Sequence, residues 1–256
     1  MSAFEDYSRY YDLLYQDKDY RAEASYVISL IRQHCSTAID VLEMGSGTGM
    51  HAVMLADAGF QVHGVDLSAD MLKRAHERCR AQSAELQQRL DFALGDARTY
   101  RADRHFDAVV SLFHVFSYQT TNADLASAFQ TAAIHLRPGG VLVCDYWYGP
   151  AVLTQRPEVR VKRMQGDDIE VTRIAEPTIH HARNVVDVCY EIVITHPGVD
   201  TVKVVREKHP MRYLFGPELE LFARDAGFLL EASFAWMTPD PLSADSWSGC
   251  SVFKKK

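Results

Sequence analysis

The glycine-rich stretch from Val41 to Met50 constrains the fold of this chain more than any other feature. Three glycines at alternate positions, Gly45, Gly47 and Gly49, directly follow a short apolar run and precede a new apolar periodicity. Glycine has no Cβ and accepts positive φ, so the backbone of such a turn can bend sharply and lie close to a ligand. Free N–H groups at the start of the next helix then point outward. The pattern predicts a strand, a tight turn and a helix, with the functional chemistry gathered around the turn.

A second short strand, Gln61–Asp66, ends in a carboxylate about 20 residues after the first glycine, where nucleotide-binding folds place an acid on ribose hydroxyls. The glycine spacing differs from the G-x-G-x-x-G of dinucleotide enzymes, and Glu43 lies inside the first strand. A pyrophosphate group needs bare N–H groups with no anion nearby, whereas a cationic ligand tolerates or prefers acidic neighbours. Glu43 and the spacing therefore favour a cationic nucleoside over a dinucleotide.

These motifs resemble those of class I S-adenosylmethionine (SAM)-dependent methyltransferases, with Glu43–Gly49 as the first motif and Val65–Asp66 as the second. The resemblance covers residues 35–150. It implies that the glycine turn packs on the amino acid part of SAM and that Asp66 holds both ribose hydroxyls. It further implies that Asp96, with the backbone of the next residue, reads the adenine. The residues predicted to bind the cofactor are Glu43, Gly45, Gly47, Gly49, Asp66, Leu67, Asp96, Ala97 and Phe113.

The order of elements predicts an α/β fold with a doubly wound, mostly parallel, seven-stranded sheet, the Rossmann-like methyltransferase fold. Strands and helices alternate after the glycine turn, and alternation of this kind produces a parallel sheet. Further strands are predicted at Leu90–Leu94, Phe106–Phe113 and Val141–Tyr146, the last after a turn at Arg137–Gly140. In this architecture ligands bind outside the carboxyl ends of the strands, so Asp66 and Asp96 are expected at the same edge as the glycines.

The pattern changes to period two between Val159 and Val205, which predicts an inserted antiparallel β flap. Turns are expected at residues 166–168, at Pro177 and at residues 197–198. Such an insertion can shape the acceptor site, form a dimer face, or serve as a plain structural flap. The predicted domains are a helical lid (1–34), a SAM-binding core (35–150), the β insertion (151–210) and a helix with a hairpin that completes the core (211–256).

Three residues are predicted to act in catalysis: Tyr15, His114 and Tyr118. The segment Tyr11–Tyr15 resembles the entry segment of bacterial methyltransferases that act on nucleotide-linked amino sugars, and this resemblance implies that Tyr15 lies close to the methylated atom. The family resemblance implies that Phe113 or His114, at the end of the fourth strand, borders the transferred methyl group. Tyr118 stands where those enzymes carry a histidine. The base is therefore left open among these side chains and His209.

Further residues are predicted to bind the acceptor: Tyr15, Tyr148, Arg160 and Arg212. Arg160 belongs to a set of flap cations, with Lys162, Arg163 and Arg173, that could meet a diphosphate. Cations on a solvent-exposed strand face would give the same sequence pattern, which is the structural alternative for this set. A structural alternative for Arg212 is a cation stacked on a core ring.

Composition excludes several other functions. A formal net charge of −7 and a pI of about 5.9 argue against nucleic acid as a partner, since phosphate binding needs a basic surface. Five scattered cysteines without a C-x-x-C pair indicate no zinc site or disulfide framework but buried thiols in a reducing cytoplasm. No apolar run approaches the ~18 residues of a membrane span. We therefore expect a cytoplasmic protein without a metal, acting on a small molecule, with a homodimer as an open alternative.

The resulting hypothesis is SAM-dependent methyl transfer to an amine or hydroxyl of a small polar acceptor, with a nucleotide-linked sugar favoured. Another small amine or natural product is the first alternative. A nicotinamide-dependent dehydrogenase is disfavoured by the glycine spacing and Glu43. A non-catalytic nucleotide-binding protein, whose flap serves only dimerisation, is a third. Nucleic acid methylation is weakened by the acidic balance and by the lack of an Asp-Pro-Pro-Tyr type motif after the fourth strand.

Overall fold

The computed structural model describes residues 14–15, 18–166, 169–196 and 199–256, without the side chains of 199–201. The chain divides into two compact units. The larger unit comprises Tyr20–Gln155 and Arg212–Lys256. The smaller unit comprises Arg156–Met211 and the described residues up to Asp19.

The strands, in chain order, are β1 (Asp40–Met44), β2 (Gln61–Asp66), β3 (Leu90–Leu94), β4 (Phe106–Ser111), β5 (Leu136–Tyr148), β6 (Arg160–Gln165), β7 (Glu170–His180), β8 (Val185–His196), β9 (Val199–Leu214), β10 (Phe228–Ala235) and β11 (Ser248–Lys255). The α-helices are α1 (Tyr20–His34), α2 (Met50–Asp57), α3 (Ala69–Arg80), α4 (Ala84–Gln87), α5 (Asn122–His135), α6 (Gly149–Gln155) and α7 (Gly216–Asp225). Short 3₁₀ helices cover Val115–Tyr118 and His181–Arg183.

The larger unit is built on a seven-stranded sheet with the order β3-β2-β1-β4-β5-β11-β10. Its first five strands are parallel, and β11 runs antiparallel to both of its neighbours. The predicted fold class, a mostly parallel doubly wound sheet, is therefore confirmed. The parallel order reverses at β1 and β4, which places the ends of these two strands at the position where such sheets bind ligands.

Two apolar cores cover the two faces of this sheet because successive side chains of a strand point in opposite directions. Val41 and Val143 belong to the core formed with α1, α2 and α3, whereas Leu42 and Leu142 belong to the core formed with α5 and α7. Helix α3 begins where predicted: the Ser68 hydroxyl caps it by accepting the Met71 N–H. These layers hold the carboxyl edge of the sheet in a fixed geometry.

The Arg137–Gly140 segment differs from the predicted turn. Helix α5 ends at His135, and the segment forms the irregular first part of β5, where the register against β4 shifts between Phe106 and Ala108. Gly139 takes a positive φ of 78° there. Arg137 also donates to Asp107 at 2.6 Å and to Asp40 at 3.1 Å, so it ties together the starts of three strands.

The smaller unit contains the antiparallel strands β6 to β9 in sequential order, in agreement with the period-two pattern. The last residues of β9 belong to the larger unit, where Tyr213 and Leu214 pair with Trp147 and Tyr148 of β5. The turns expected around residues 167–168 and 197–198 lie outside the described residues, as do residues 1–13 and 16–17 of the predicted lid.

Two predictions for the smaller unit are wrong. Pro177 does not form a turn but lies within β7 opposite Val188, and the reversal comes later, at His181–Arg183. Strand β6 begins at Arg160, opposite Ala175, so Pro177 faces no β6 residue that would need its missing N–H. Cys189 is exposed rather than buried, because it pairs with the exposed Glu176 on the solvent side of the strands.

Along the described part of the chain, the helices are too short or too polar to cross a lipid bilayer.

Candidate active site

The glycine turn wraps over the end of β2. The N–H groups of Gly45 and Ser46 both donate to the Val65 carbonyl, at 2.7 and 3.0 Å. All three glycines have positive φ, between 54° and 79°. A Cβ on Gly45 would overlap Val115, whereas one on Gly47 would meet no atom within 4 Å. The backbone at Gly47 therefore faces open space in which a ligand can lie against it.

Asp66 is fixed beside Gly47. One carboxylate oxygen accepts the Gly47 N–H at 2.8 Å, and the other accepts the Ser68 N–H at 2.8 Å. The acid therefore joins the glycine turn to the start of α3. Leu67 follows it with 69% of its surface exposed. The structure brings these predicted cofactor residues together at the carboxyl edge of the sheet.

Glu43 is a buried carboxyl group with unused hydrogen-bonding capacity. It is 1% exposed, and its Oε2 has no hydrogen-bond partner among the described residues. Burial, followed by repulsion from Asp66, raises the pKa of Glu43 from 4.5 to about 8. A buried acceptor beside a second carboxylate matches the ammonium and sulfonium charges of SAM. On this observation the residues present fit the predicted cofactor.

Sequence reasoning missed a histidine next to this carboxyl group. His51, in the first turn of α2, lies between two acids: its Nε2 is 2.8 Å from Glu23 Oε2 and its Nδ1 is 3.9 Å from Glu43 Oε1. Glu23 belongs to α1 and is separated from His51 by 28 residues. No local pattern signals a contact over that separation. Through His51, this contact links α1 to Glu43, one of the predicted cofactor residues.

Asp96 is held by Arg98. The Asp96 carboxylate accepts hydrogen bonds from the Arg98 backbone N–H and side chain, and hydrogen bonding to Arg98 lowers the pKa of Asp96. Arg98 also donates to Asp124 of α5 at 2.8 Å. Asp96 therefore bonds its own backbone, as turn aspartates do, while staying partly exposed. The adenine-reading role of Asp96 and Ala97 stays a prediction.

The segment after β4 carries two residues in a left-handed conformation. Phe113 and His114 have φ values of 65° and 64°, an uncommon conformation for residues with side chains. The His114 N–H donates to Asp145 Oδ1 at 2.8 Å. Tyr118, at the end of the following 3₁₀ helix, is 44% exposed. Because Val115 packs on Gly45, this segment lies directly against the glycine turn.

Two predicted acceptor residues lie elsewhere in the larger unit. Tyr148 ends β5, is half-buried and packs against the core that contains α5 and α7. Arg212 is 5% exposed, and its guanidinium donates to Asn122 at 2.6 Å and to Glu218. This placement anchors the start of α7. Substrate binding by Tyr148 and Arg212 stays a prediction.

The remaining predicted residues, Tyr15 and Arg160, belong to the smaller unit. Tyr15 packs against the core of that unit, which includes Leu14 and Ile192. Arg160 is exposed at the start of β6. In antiparallel pairs, directly opposed residues share a face. Register therefore places Arg160, Lys162 and Arg173 on one face of the flap.

That face is the one on which Tyr15 packs, since Ile192 lies opposite Arg173. Arg163 has the opposite orientation because it follows Lys162 directly along the strand. The four flap cations singled out by the sequence thus divide between the two faces.

Comparisons with known proteins agree in matching this chain to methyltransferases. Residues 41–140 match a family model described as a methyltransferase domain. The chain is 32% identical over 191 residues to the dTDP-3-amino-3,6-dideoxy-alpha-D-glucopyranose N,N-dimethyltransferase of Streptomyces fradiae, covering 74% of this chain and 71% of that protein. It is 39% identical over 147 residues to the dTDP-3-amino-3,4,6-trideoxy-alpha-D-glucopyranose N,N-dimethyltransferase of Streptomyces venezuelae, covering 57% of this chain and 59% of that protein.

A solved structure extends the likeness over the whole chain. The crystal structure of Streptomyces venezuelae DesVI superposes with a TM-score of 0.79 at 26% identity, covering 100% of this chain and 99% of that one. The family model matches residues 41–140 only, whereas the structural match covers the whole chain and so includes the flap.

Proposed function

Because this chain belongs to the SAM-dependent methyltransferase family, we propose that it transfers methyl groups from SAM to the amino group of a nucleotide-linked sugar. Two observations support this acceptor: the relatives described above are named for dTDP-linked amino sugars, and the chain carries a row of cations on one face of the flap. The observation that carries the proposal is the buried Glu43 beside the open backbone of Gly47 and the fixed Asp66.

In the proposed reaction this chain binds the donor and the acceptor, orients them, and excludes water. Glu43 would hold the donor's ammonium group, Asp66 its ribose, and Asp96 with Ala97 its adenine. When bound, SAM supplies an electrophilic methyl group on an excellent leaving group, so the protein needs no covalent intermediate. Tyr15, His114 and Tyr118 are proposed to contact the acceptor amine and direct its lone pair by hydrogen bonds.

The flap is proposed to recognise the diphosphate. Arg160 and Lys162 present positive charge on the face where Tyr15 packs. Arg173 stacks over the Tyr190 ring at 4.9 Å on that same face, and its Nε is buried without a partner among the described residues. Charge-assisted hydrogen bonds from such groups suit phosphate oxygens.

The experiment that tests the proposal is mass spectrometry of reactions with SAM and a panel of dTDP-sugars that differ only in an amino or hydroxyl group. We expect amino sugars to gain the mass of one or two methyl groups and their hydroxy counterparts to gain none. A methylated hydroxy sugar would reverse the proposed acceptor atom. Binding of SAM without product on any sugar would contradict the sugar proposal and direct the search to other small amines.

A matched pair of variants tests the diphosphate contact. Arg160→Ala is expected to raise KM for the nucleotide sugar about tenfold, since charge-assisted hydrogen bonds contribute about 1.5–3 kcal/mol. Arg163→Ala, on the same strand but the opposite face, is expected to leave KM unchanged. Neither should alter the Kd of SAM. Equal effects of the two variants would contradict the assignment of the cationic face.

We extend the proposal to assembly and location. Apolar side chains of the smaller unit are exposed, with Val161 50% and Val202 64% accessible, which supports a dimer face on the flap. Light scattering is expected to report a homodimer, and a monomer at micromolar concentration would contradict this part. All five cysteines are free, in keeping with action in the cytoplasm.

A further inference from the structure

Asp145 is a buried carboxylate that the sequence did not single out. It lies in β5, is 1% exposed and directs both oxygens at His114: Oδ1 accepts the backbone N–H, and Oδ2 lies 2.8 Å from the ring Nδ1. A buried carboxylate is costly unless it is paired. Among the ion pairs between described residues, its partner is His114. The pair links the end of β4 to the neighbouring strand.

Two thiols close to Asp145 carry no charge. They belong to Cys144 in β5 and Cys250 in β11. Burial raises the pKa of both thiols well above the usual thiol range, so both stay protonated. His114 is therefore the group that Asp145 can orient.

The backbone around His114 is strained in a way that needs such an anchor. Two consecutive non-glycine residues with positive φ are energetically unfavourable and persist only where their surroundings fix them. The hydrogen bond from the His114 N–H to Asp145 and the packing of Val115 on Gly45 supply that fixation. Strain of this kind concentrates at active sites.

The imidazole ring is also oriented. Its centroid lies 6.0 Å from that of Phe113, with nearly parallel planes, and 6.4 Å from that of Trp147. Nδ1 is buried while 23% of the side chain is exposed, so the accessible edge is the one away from Asp145. Nδ1 is not yet aligned for a hydrogen bond, and catalytic contacts often tighten only when substrate binds.

We propose that Asp145 is a positioning residue that keeps the Nδ1 proton of His114 toward its carboxylate and leaves Nε2 free to accept a proton from the acceptor when its nitrogen is an ammonium group. This inference rests on the proposed N-methylation. For each methyl group, Nε2 takes one proton from the acceptor ammonium and passes it to solvent. The freed nitrogen lone pair forms the N–C bond, and the S–C bonding pair stays on sulfur as S-adenosylhomocysteine leaves.

The test is Asp145→Asn. An asparagine oxygen can still accept the His114 N–H, while its NH₂ group would face Nδ1 and favour the tautomer with the proton on Nε2. We expect ¹⁵N NMR of the protein with S-adenosylhomocysteine to show unprotonated Nε2 in the wild type and protonated Nε2 in the variant. We expect kcat to fall about 100-fold near neutral pH, since positioned acid–base groups contribute roughly 10²–10⁴-fold. The loss should shrink at high pH, where the acceptor amine is already deprotonated.

Controls separate this role from a structural one. Asp91→Asn alters an analogous contact, 2.8 Å from His63 Nδ1, and should leave kcat unchanged. The same His114 tautomer in both proteins, or an equal loss of kcat at every pH, would overturn the proposal. The tautomer measurement needs no acceptor. If the tautomer switches while wild-type protein methylates no amino sugar, the pair stands and the proposed substrate fails.

Discussion

At the scale of single residues, two glycines of one turn differ in what a methyl group would meet. Gly45→Ala is expected to lower the free energy of unfolding by about 2–4 kcal/mol, because the new Cβ overlaps Val115 and the positive φ is strained. Gly47→Ala should cost about 1 kcal/mol from strain alone but weaken S-adenosylhomocysteine binding, because its methyl group enters the open space.

Thermal unfolding and calorimetric binding distinguish the two glycine variants. Gly139→Ala is the matched control for Gly47→Ala, since Gly139 also combines a positive φ, here 78°, with open space, but lies away from the site. It should repeat the stability change of Gly47→Ala without the change in binding. Wild-type affinity in Gly47→Ala would contradict the placement of the donor.

The raised pKa of Glu43 leads to a second prediction, which concerns how the free energy of unfolding depends on pH. Its folded pKa of about 8 lies above its unfolded value of 4.5, so folding takes up a proton between these limits. The contribution of Glu43 to the free energy of unfolding therefore falls as pH rises through this window, by up to about 1.4 kcal/mol per pH unit. Glu43→Gln does not titrate and should gain stability over the wild type, by roughly 2–4 kcal/mol, between pH 5 and pH 8.

Denaturant unfolding of cofactor-free protein at several pH values measures this difference. Glu85→Gln, at an exposed carboxylate paired with Arg89, should track the wild type throughout. A constant difference between Glu43→Gln and the wild type would show that Glu43 is ionised in the folded protein.

The residues of the site differ in how far sequence could predict them. The contact between Gly47 and Asp66 follows from two strands whose ends meet at one edge of the sheet, so spacing was sufficient. Asp145 looks in sequence like one polar residue within an apolar strand, and it meets His114 only because β4 and β5 are neighbours in space. The contact between His51 and Glu23 likewise depends on how α1 packs.

At the scale of elements, the start of α7 depends on Arg212. Its guanidinium bonds Glu218, whose carboxylate also accepts the Phe215 N–H at the cap of the helix. Arg212→Ala would leave the partly buried Glu218 without its cation, so we expect a loss of about 3 kcal/mol in stability.

The same variant tests the predicted substrate role. Unfolding and steady-state kinetics on Arg212→Ala are expected to show a lowered Tm from the lost contact with Glu218, and a raised KM for the acceptor in addition if Arg212 binds it as predicted. Arg224→Ala, exposed on the same helix, should change neither. Unchanged Tm with a raised KM would instead establish Arg212 as an acceptor-binding residue.

The strands of the flap show which structural features a local sequence pattern can predict. Alternation predicted β6 to β9, because one face of each strand packs on an apolar core. The turn expected at Pro177 was wrong because proline usually marks a turn, whereas here β6 begins only opposite Ala175 and Pro177 has no β6 partner that would need its N–H. Whether a proline interrupts a strand depends on its neighbours across the sheet, and those are set by tertiary structure.

At the scale of the whole molecule, each unit has apolar clusters of its own. The two large clusters draw only on the larger unit, and the cluster around Ile192 draws only on the smaller one. The predicted cofactor residues all belong to the larger unit. A protein with 20–155 joined to 212–256 by a flexible linker is therefore expected to fold and to bind S-adenosylhomocysteine within about tenfold of the full chain.

Calorimetry and a methylation assay test this division. The shortened protein should bind the cofactor product yet methylate no acceptor, because Tyr15 and the cationic face are gone. Adding Gly47→Ala to it should weaken the remaining binding. Loss of a cooperative unfolding transition would show that the larger unit needs the smaller one to fold.

The separate apolar clusters of the two units have a consequence for how the acceptor specificity of such an enzyme can evolve. The two apolar clusters around the predicted cofactor residues contain no residue between Arg156 and Met211. Under the proposal that the flap binds the acceptor, substitutions in this segment can change the acceptor while the predicted donor site stays intact. A mutant library confined to this segment should retain cofactor binding in most members and vary chiefly in the molecule they alkylate. Selection for a new product could then start from a library in which most members still bind the methyl donor.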